Sequence, residues 1–126
     1  MFKAENLPVG CPPLDCEDDE LKNIYRLVSN PPCSEDFLSH IENGDSYPKF
    51  LECEANAISF FTTVESAKKI QSKFRKLNKP NQHILEGEIK SGNGIHRTKG
   101  THINFWVFKD KDIFVEFTGG QNDEEV

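Results

Sequence analysis

The stretch that most constrains this chain runs from residue 56 to residue 77, where a strand-length apolar run passes directly into an amphipathic helix. Ala57-Ile58-Ser59-Phe60-Phe61 combines aromatic and β-branched residues over the length of a strand, and polar threonines close it. Thr62 precedes Glu65 at the spacing of a capping box, in which a hydroxyl and a carboxylate each satisfy an orphan amide of a helix start. Val64, Ala67, Ile70, Phe74 and Leu77 then recur in steps of three and four and form one stripe, with Lys69, Ser72, Lys73 and Lys76 on the opposite side. Asn78-Lys79-Pro80 is expected to end the helix, because proline lacks the amide and disfavours helical geometry in the residue before it. The rest of the chain must pack against this strand, turn and helix.

Residues 23–29 read as a first strand, with Ile24, Tyr25, Leu27 and Val28 surrounding Arg26, a charge that needs a partner in so apolar a setting. Asn30-Pro31-Pro32 breaks it. A short peripheral helix is expected next, with Ser34 as N-cap, Glu35 and Asp36 in its first turn and Gly44 past its end. Residues 45–48 read as a turn, and 49–54 as a connection or short strand. After Pro80, strands are expected at 83–90, at 95–99 if that stretch is not loop, and at 101–108 and 112–117, with Ser91-Gly92-Asn93-Gly94 a strong turn signal. The last two strands read as a hairpin about Asp110 and Lys111, facing Phe108 to Ile113, Trp106 to Val115 and Phe105 to Glu116. Both faces of residues 103–108 are apolar, so that strand should be covered on both sides, and Glu116 would land on an apolar face.

At 126 residues the chain has the size of one domain. The expectation is a single small α+β domain at residues 21–118, a largely antiparallel sheet of about five to six strands with two helices. A proline-containing acidic arm at 1–20 precedes it and an acidic flexible tail at 119–126 follows. No apolar run approaches the roughly 20 residues that span a bilayer, and the first residues lack the basic-then-apolar pattern of a secretory signal, so a cytoplasmic protein is expected. A formal net charge of −6 argues against a general nucleic-acid binder. Six of the 15 basic residues nevertheless fall between Lys68 and Lys79, on what is read as a solvated helix face or a surface for an acidic partner. Cys11, Cys16, Cys33 and Cys53 are expected as reduced thiols, and their spacing is a poor match to a zinc site, so no metal is expected.

Two charged strand residues, Arg26 and Glu116, are the candidates for chemistry. They could pair with each other for structure alone. In the functional alternative Arg26 holds an anion, Ser59 or Thr62 hydrogen-bonds a ligand, and Glu116 acts on a sugar hydroxyl or a developing cation. The order of Tyr25-Arg26 in a first strand, Ser59-Phe60-Phe61-Thr62-Thr63 leading into a helix with Ala67, and a late-strand Glu116 resembles that of ADP-ribosyltransferase-like domains. That resemblance implies a split β fold gripping NAD, with Arg26 near a phosphate or ribose, Ser59 or Thr62 on the nicotinamide side and Glu116 as the catalytic carboxylate, in an active or a degenerate member. The alternative is a non-catalytic protein-interaction module that uses the acidic arm, the acidic tail or the basic helix face. Convergence of Arg26, Ser59 or Thr62 and Glu116 on one concave site separates the two.

Overall fold

The computed structural model describes residues 1–79 and 83–119. Pro80 and the acids Asp123, Glu124 and Glu125, on which two of the expectations above rest, lie outside the described residues. The fold is α+β. An antiparallel sheet of five strands has the order β3-β1-β2-β5-β4, where β1 is Leu21–Val28, β2 Ile58–Phe61, β3 His83–Ile89, β4 Gly94–Lys99 and β5 His102–Val107. Helix α1 (Glu52–Ala55) is a single turn, α2 (Val64–Lys76) is the main helix, and α3 (Ile113–Thr118) is short.

The strand-to-helix stretch forms as expected, with two shifts. The cap is Thr63, not Thr62: its hydroxyl accepts from Ser66 N at 3.2 Å and donates to Ser66 Oγ. The end is set by Asn78, which takes a left-handed φ of 53° while Asn78 N and Lys79 N donate to the carbonyls of Arg75 and Phe74. That is a Schellman closure with asparagine in place of glycine.

Register assigns the two faces of the sheet. Ile24, Val28, Ile58, Phe60, Ile89, Ile103 and Phe105 point to one face and pack with Phe37, Ile113 and Phe117 in the main core. Phe117 sits over Gly87, where an added Cβ would lie 2.6 Å from the Phe117 carbonyl oxygen, so only glycine lets α3 approach β3 this closely. Tyr25, Leu27, Ser59, Phe61 and His102 point to the other face, which α2 covers over β1, β2 and β3. Strand β5 lies inside the sheet with both faces covered, as its composition requires, and Trp106 Nε1 donates to Cys53 O at 3.0 Å.

Four expectations are corrected. Residues 112–117 are helical: Asp112 caps α3 through Val115 N, Gly119 closes it at φ 68°, and Ile113 and Phe117 reach the core one turn apart. Helix periodicity joined to two caps outweighs the strand preference of Ile-Phe-Val-Glu-Phe. Strand β5 therefore pairs with β2 and β4, setting Trp106 opposite Ile95 and Phe105 between Ile58 and His96. The helix expected after Ser34 is only a 3-10 turn, Ser34–Phe37, with Cys33 at its cap. Residues 49–54 are helical, as a 3-10 turn at Lys49–Leu51 that runs into α1.

The fourth correction concerns the thiols. Cys11 and Cys53 form a disulfide with Cα atoms 5.6 Å apart, while Cys16 and Cys33 are free. The pairing arises because the irregular arm folds back over the domain. Phe2 bridges Phe108, Glu17 exchanges two backbone hydrogen bonds of 2.9 Å with His96 on the outer edge of β4, and the Asp19 carboxylate lies 2.7 Å from His96 Nε2. Asp18 accepts from Gly92 N and Asp15 pairs with Arg97 at 3.3 Å. Asp15, Asp18 and Asp19 of the arm are thus engaged within the chain, and the Glu17 backbone covers part of the β4 edge. Among the described residues no helix is long and apolar enough to cross a membrane.

Candidate functional site

Strands β1 and β2 are joined at a single residue pair, Tyr25 with Phe61. Beyond it they part, and the Arg26 guanidinium fills the seam. Arg26 Nη1 donates to Ser59 O at 2.6 Å, while Nε and Nη2 both donate to Asp36 O, at 2.9 and 2.7 Å. The same group lies 5.4 Å from the centre of the Phe37 ring and 5.7 Å from that of Phe60, within reach of cation–π attraction. Burial pushes the Arg26 pKa down to about 10, against the opposing pull of the Asp36 carboxylate, so the group keeps its charge at neutral pH. The Asp36 carboxylate is itself tied, accepting from Ser29 Oγ and Cys33 N at 2.8 Å each.

Above this seam, on the α2 face, is a cleft of about 490 Å³. Its floor is Leu27, Ala57, Ser59 and Phe61, with Arg26 reaching in from the seam. One wall is α2, through Ile70, Lys73 and Phe74. The other is the turn at 38–43, which presents Leu38, Ser39 and His40. That turn is held by reciprocal hydrogen bonds, Ser39 N to Glu42 Oε1 at 2.9 Å and Glu42 N to Ser39 Oγ at 3.1 Å. It is tied down by Ile41 N on Ala55 O and by a 3.0 Å ion pair of Glu42 with Lys3. His102, paired with Phe61 across β2 and β5 with ring centroids 5.8 Å apart, borders the cleft. Partial burial holds its pKa below the ordinary 6.5, which favours the neutral imidazole at neutral pH.

A smaller hollow of about 310 Å³ lies on the other face, between the Ser34–Phe37 turn and α3. Its lining mixes Lys3 and Lys111 with Glu35 and Asp112 and has no buried charge at its base. The cleft under α2 is therefore the stronger candidate, since it joins apolar walls to a few convergent polar groups.

Of the four residues singled out from the sequence, the fold brings two together. Arg26 and Ser59 meet at the cleft floor, although it is the carbonyl of Ser59 that Arg26 contacts. Thr62 lies beyond β2, where its amide donates to Thr101 O at 3.0 Å, and it does not line the cleft. Glu116 is on α3, over the opposite face, and its Oε2 accepts from Lys90 N at 2.8 Å just past the end of β3. Glu116 thus neither sits in a strand nor pairs with Arg26. Lys73, Phe74 and His102 join the site without having been singled out. The alternation that places His102 on the Trp106 face of β5 is legible in the sequence, but its neighbours in β2 are not. Among the described residues no three His, Cys, Asp or Glu side chains are grouped as a metal site. No protein-family model, curated protein or solved structure matches the chain.

Proposed function

We propose that this protein is a small-molecule-binding domain whose ligand enters the cleft between α2 and the 38–43 turn. The observation that supports it is the Arg26 guanidinium held rigid at the base of an otherwise largely apolar cleft. Three of its five N–H donors bond to carbonyls among the described residues, and the reading assigns the other two to an oxygen of the ligand. A fork already locked in place loses little conformational entropy on binding.

Two parts of the ADP-ribosyltransferase-like reading keep a place in this proposal, namely Arg26 beside a phosphate or ribose and Ser59 on the cleft floor. Because Glu116 bonds to Lys90 on the other face, we favour binding over transfer as the activity. Of the surfaces an interaction module would use, the acidic arm is engaged within the chain. Among the described residues the basic face of α2, with Lys68, Lys69 and Lys76 exposed, remains for that alternative.

The test is a displacement experiment. N-phenyl-1-naphthylamine, a neutral fluorophore that brightens in apolar sites, should bind wild-type protein at one saturable site and should not bind Phe74→Asp. NAD should then displace it. Absence of a saturable site in the wild type, or equal binding by folded Phe74→Asp, counts against the cleft. Failure of NAD alone to displace the probe counts against a dinucleotide ligand.

A further inference from the structure

The charge around the cleft runs against that of the whole chain. This protein has 21 acidic residues and a net charge of −6, yet no carboxylate belongs to the lining described above. The lining holds instead two cations, Arg26 and Lys73, together with His40 and the His102 ring that burial keeps neutral at neutral pH. The acids nearest in sequence are turned away by bonds of their own. Glu42 caps Ser39 and pairs with Lys3, and the Asp36 carboxylate is held by Ser29 and Cys33 although its charge still acts on Arg26. Asp45 lies 3.5 Å from His40 Nδ1 at the rim, so Lys73 is the lining cation with no acid set against it in these contacts. A lining with two cations and no carboxylate of its own favours a ligand of opposite charge, and partly desolvated walls strengthen that attraction. Beside the polar Ser39, Asn43 and Ser59, the lining is apolar, through Leu27, Leu38, Ala57, Phe61, Ile70 and Phe74, an area that a fully polar ligand such as inorganic phosphate would leave without a matching partner.

We propose that the ligand of this cleft is an amphiphilic anion: one acidic head group held by Arg26 and Lys73, and an apolar or aromatic body covered by Phe61, Ile70 and Phe74. This rests on the reading of the cleft as a ligand site. The guanidinium supplies directional donors to the head group, and the lysine, on an exposed helix position, supplies a mobile point charge. The body lies along the α2 stripe where, among the described residues, Ile70 and Phe74 stay part-exposed.

A matched pair of probes separates the charge from the cleft. 1-Anilinonaphthalene-8-sulfonate and N-phenyl-1-naphthylamine share one aromatic body and differ in a single sulfonate. The sulfonate should bind about tenfold more tightly to the wild type, the effect of one well-placed charged contact. Lys73→Glu should weaken the sulfonate about fivefold or more beyond any effect it has on the neutral probe, while Lys76→Glu, the same charge change on the outer face of α2, should affect neither. Equal affinity for the two probes overturns the inference and leaves the cleft as a neutral apolar site. Equal weakening of the sulfonate by Lys73→Glu and Lys76→Glu also overturns it, because the general field of the helix then explains the preference. Binding of neither probe overturns the ligand site itself.

Discussion

The two faces of the sheet are built from similar residues and finished differently. Under α3, Phe37, Phe60, Phe105 and Phe117 contact one another in tilted and edge-on pairs with centroids 5.2 to 6.2 Å apart, and Gly87 gives way so that Phe117 can seat on the strand. Under α2, only Ala67 of the helix is fully buried, while Ile70 and Phe74 stay part-exposed and the cleft opens between them and the 38–43 turn. A short helix seats Ile113 and Phe117 in the core with a smaller hollow beside it, and a helix more than twice its length leaves the larger cleft. The difference teaches that helix length does not decide closure. What decides it is whether the opposing wall reaches the helix, and the 38–43 turn is tied to α1 and the arm, away from α2.

The largest effect that can break this comparison is a like-for-like truncation. Phe117→Ala should cost about 3–5 kcal/mol in denaturant unfolding, as expected for an aromatic in a packed core, whereas Phe74→Ala should cost less, about 2 kcal/mol, because its ring is part-exposed at the cleft. Equal losses would mean that the α2 face is as closed as the other. The seam between the faces comes next. Arg26→Ala leaves the Ser59 and Asp36 carbonyls without their donor and should lose about 2–3 kcal/mol by the same measurement. Arg26→Lys should recover part of that loss at most, since one ammonium cannot reproduce the fork. A loss below about 0.5 kcal/mol for Arg26→Ala would show that the seam closes without the charge.

Smaller effects sharpen the contrast. Thr63→Ala removes the cap of α2 and should cost about 1 kcal/mol of stability. Cleft binding in the folded variant should be retained, since Thr63 does not line the site. The least effect is a dependence on pH. Burial keeps the folded His102 pKa below the ordinary 6.5, so the unfolded chain binds this proton at a higher pH than the folded chain does. The His102 contribution to stability is therefore complete above the unfolded value and is lost as pH falls through the folded one. His102→Gln cannot titrate, and its drop in Tm between about pH 7.5 and about pH 5 should be smaller than that of the wild type. An unchanged drop would place His102 outside the partly desolvated rim.

What the sequence determined by itself is the set of elements whose signal is local. The α2 stripe from Val64 to Phe74, the strand before it, the turn at 91–94 and the interior place of β5 follow from side-chain periodicity, which a helix or strand converts directly into a buried face. In hindsight α3 was also legible, since Asp112 and Gly119 bracket Ile113 and Phe117 at helical spacing, but a run rich in aromatic and β-branched residues fits a strand equally well until a partner is known. Tertiary structure decided the rest. Cys11 meets Cys53 across 42 residues, with nothing in either neighbourhood to name the other. Glu116 met an amide of Lys90 rather than a guanidinium. Arg26 did find the partners that its apolar strand demanded, and both are main-chain carbonyls, 10 and 33 residues away. Every residue carries that same carbonyl, so no side chain could announce it, and only the parting of β1 from β2 turned an arginine in a strand into the charged floor of a cleft.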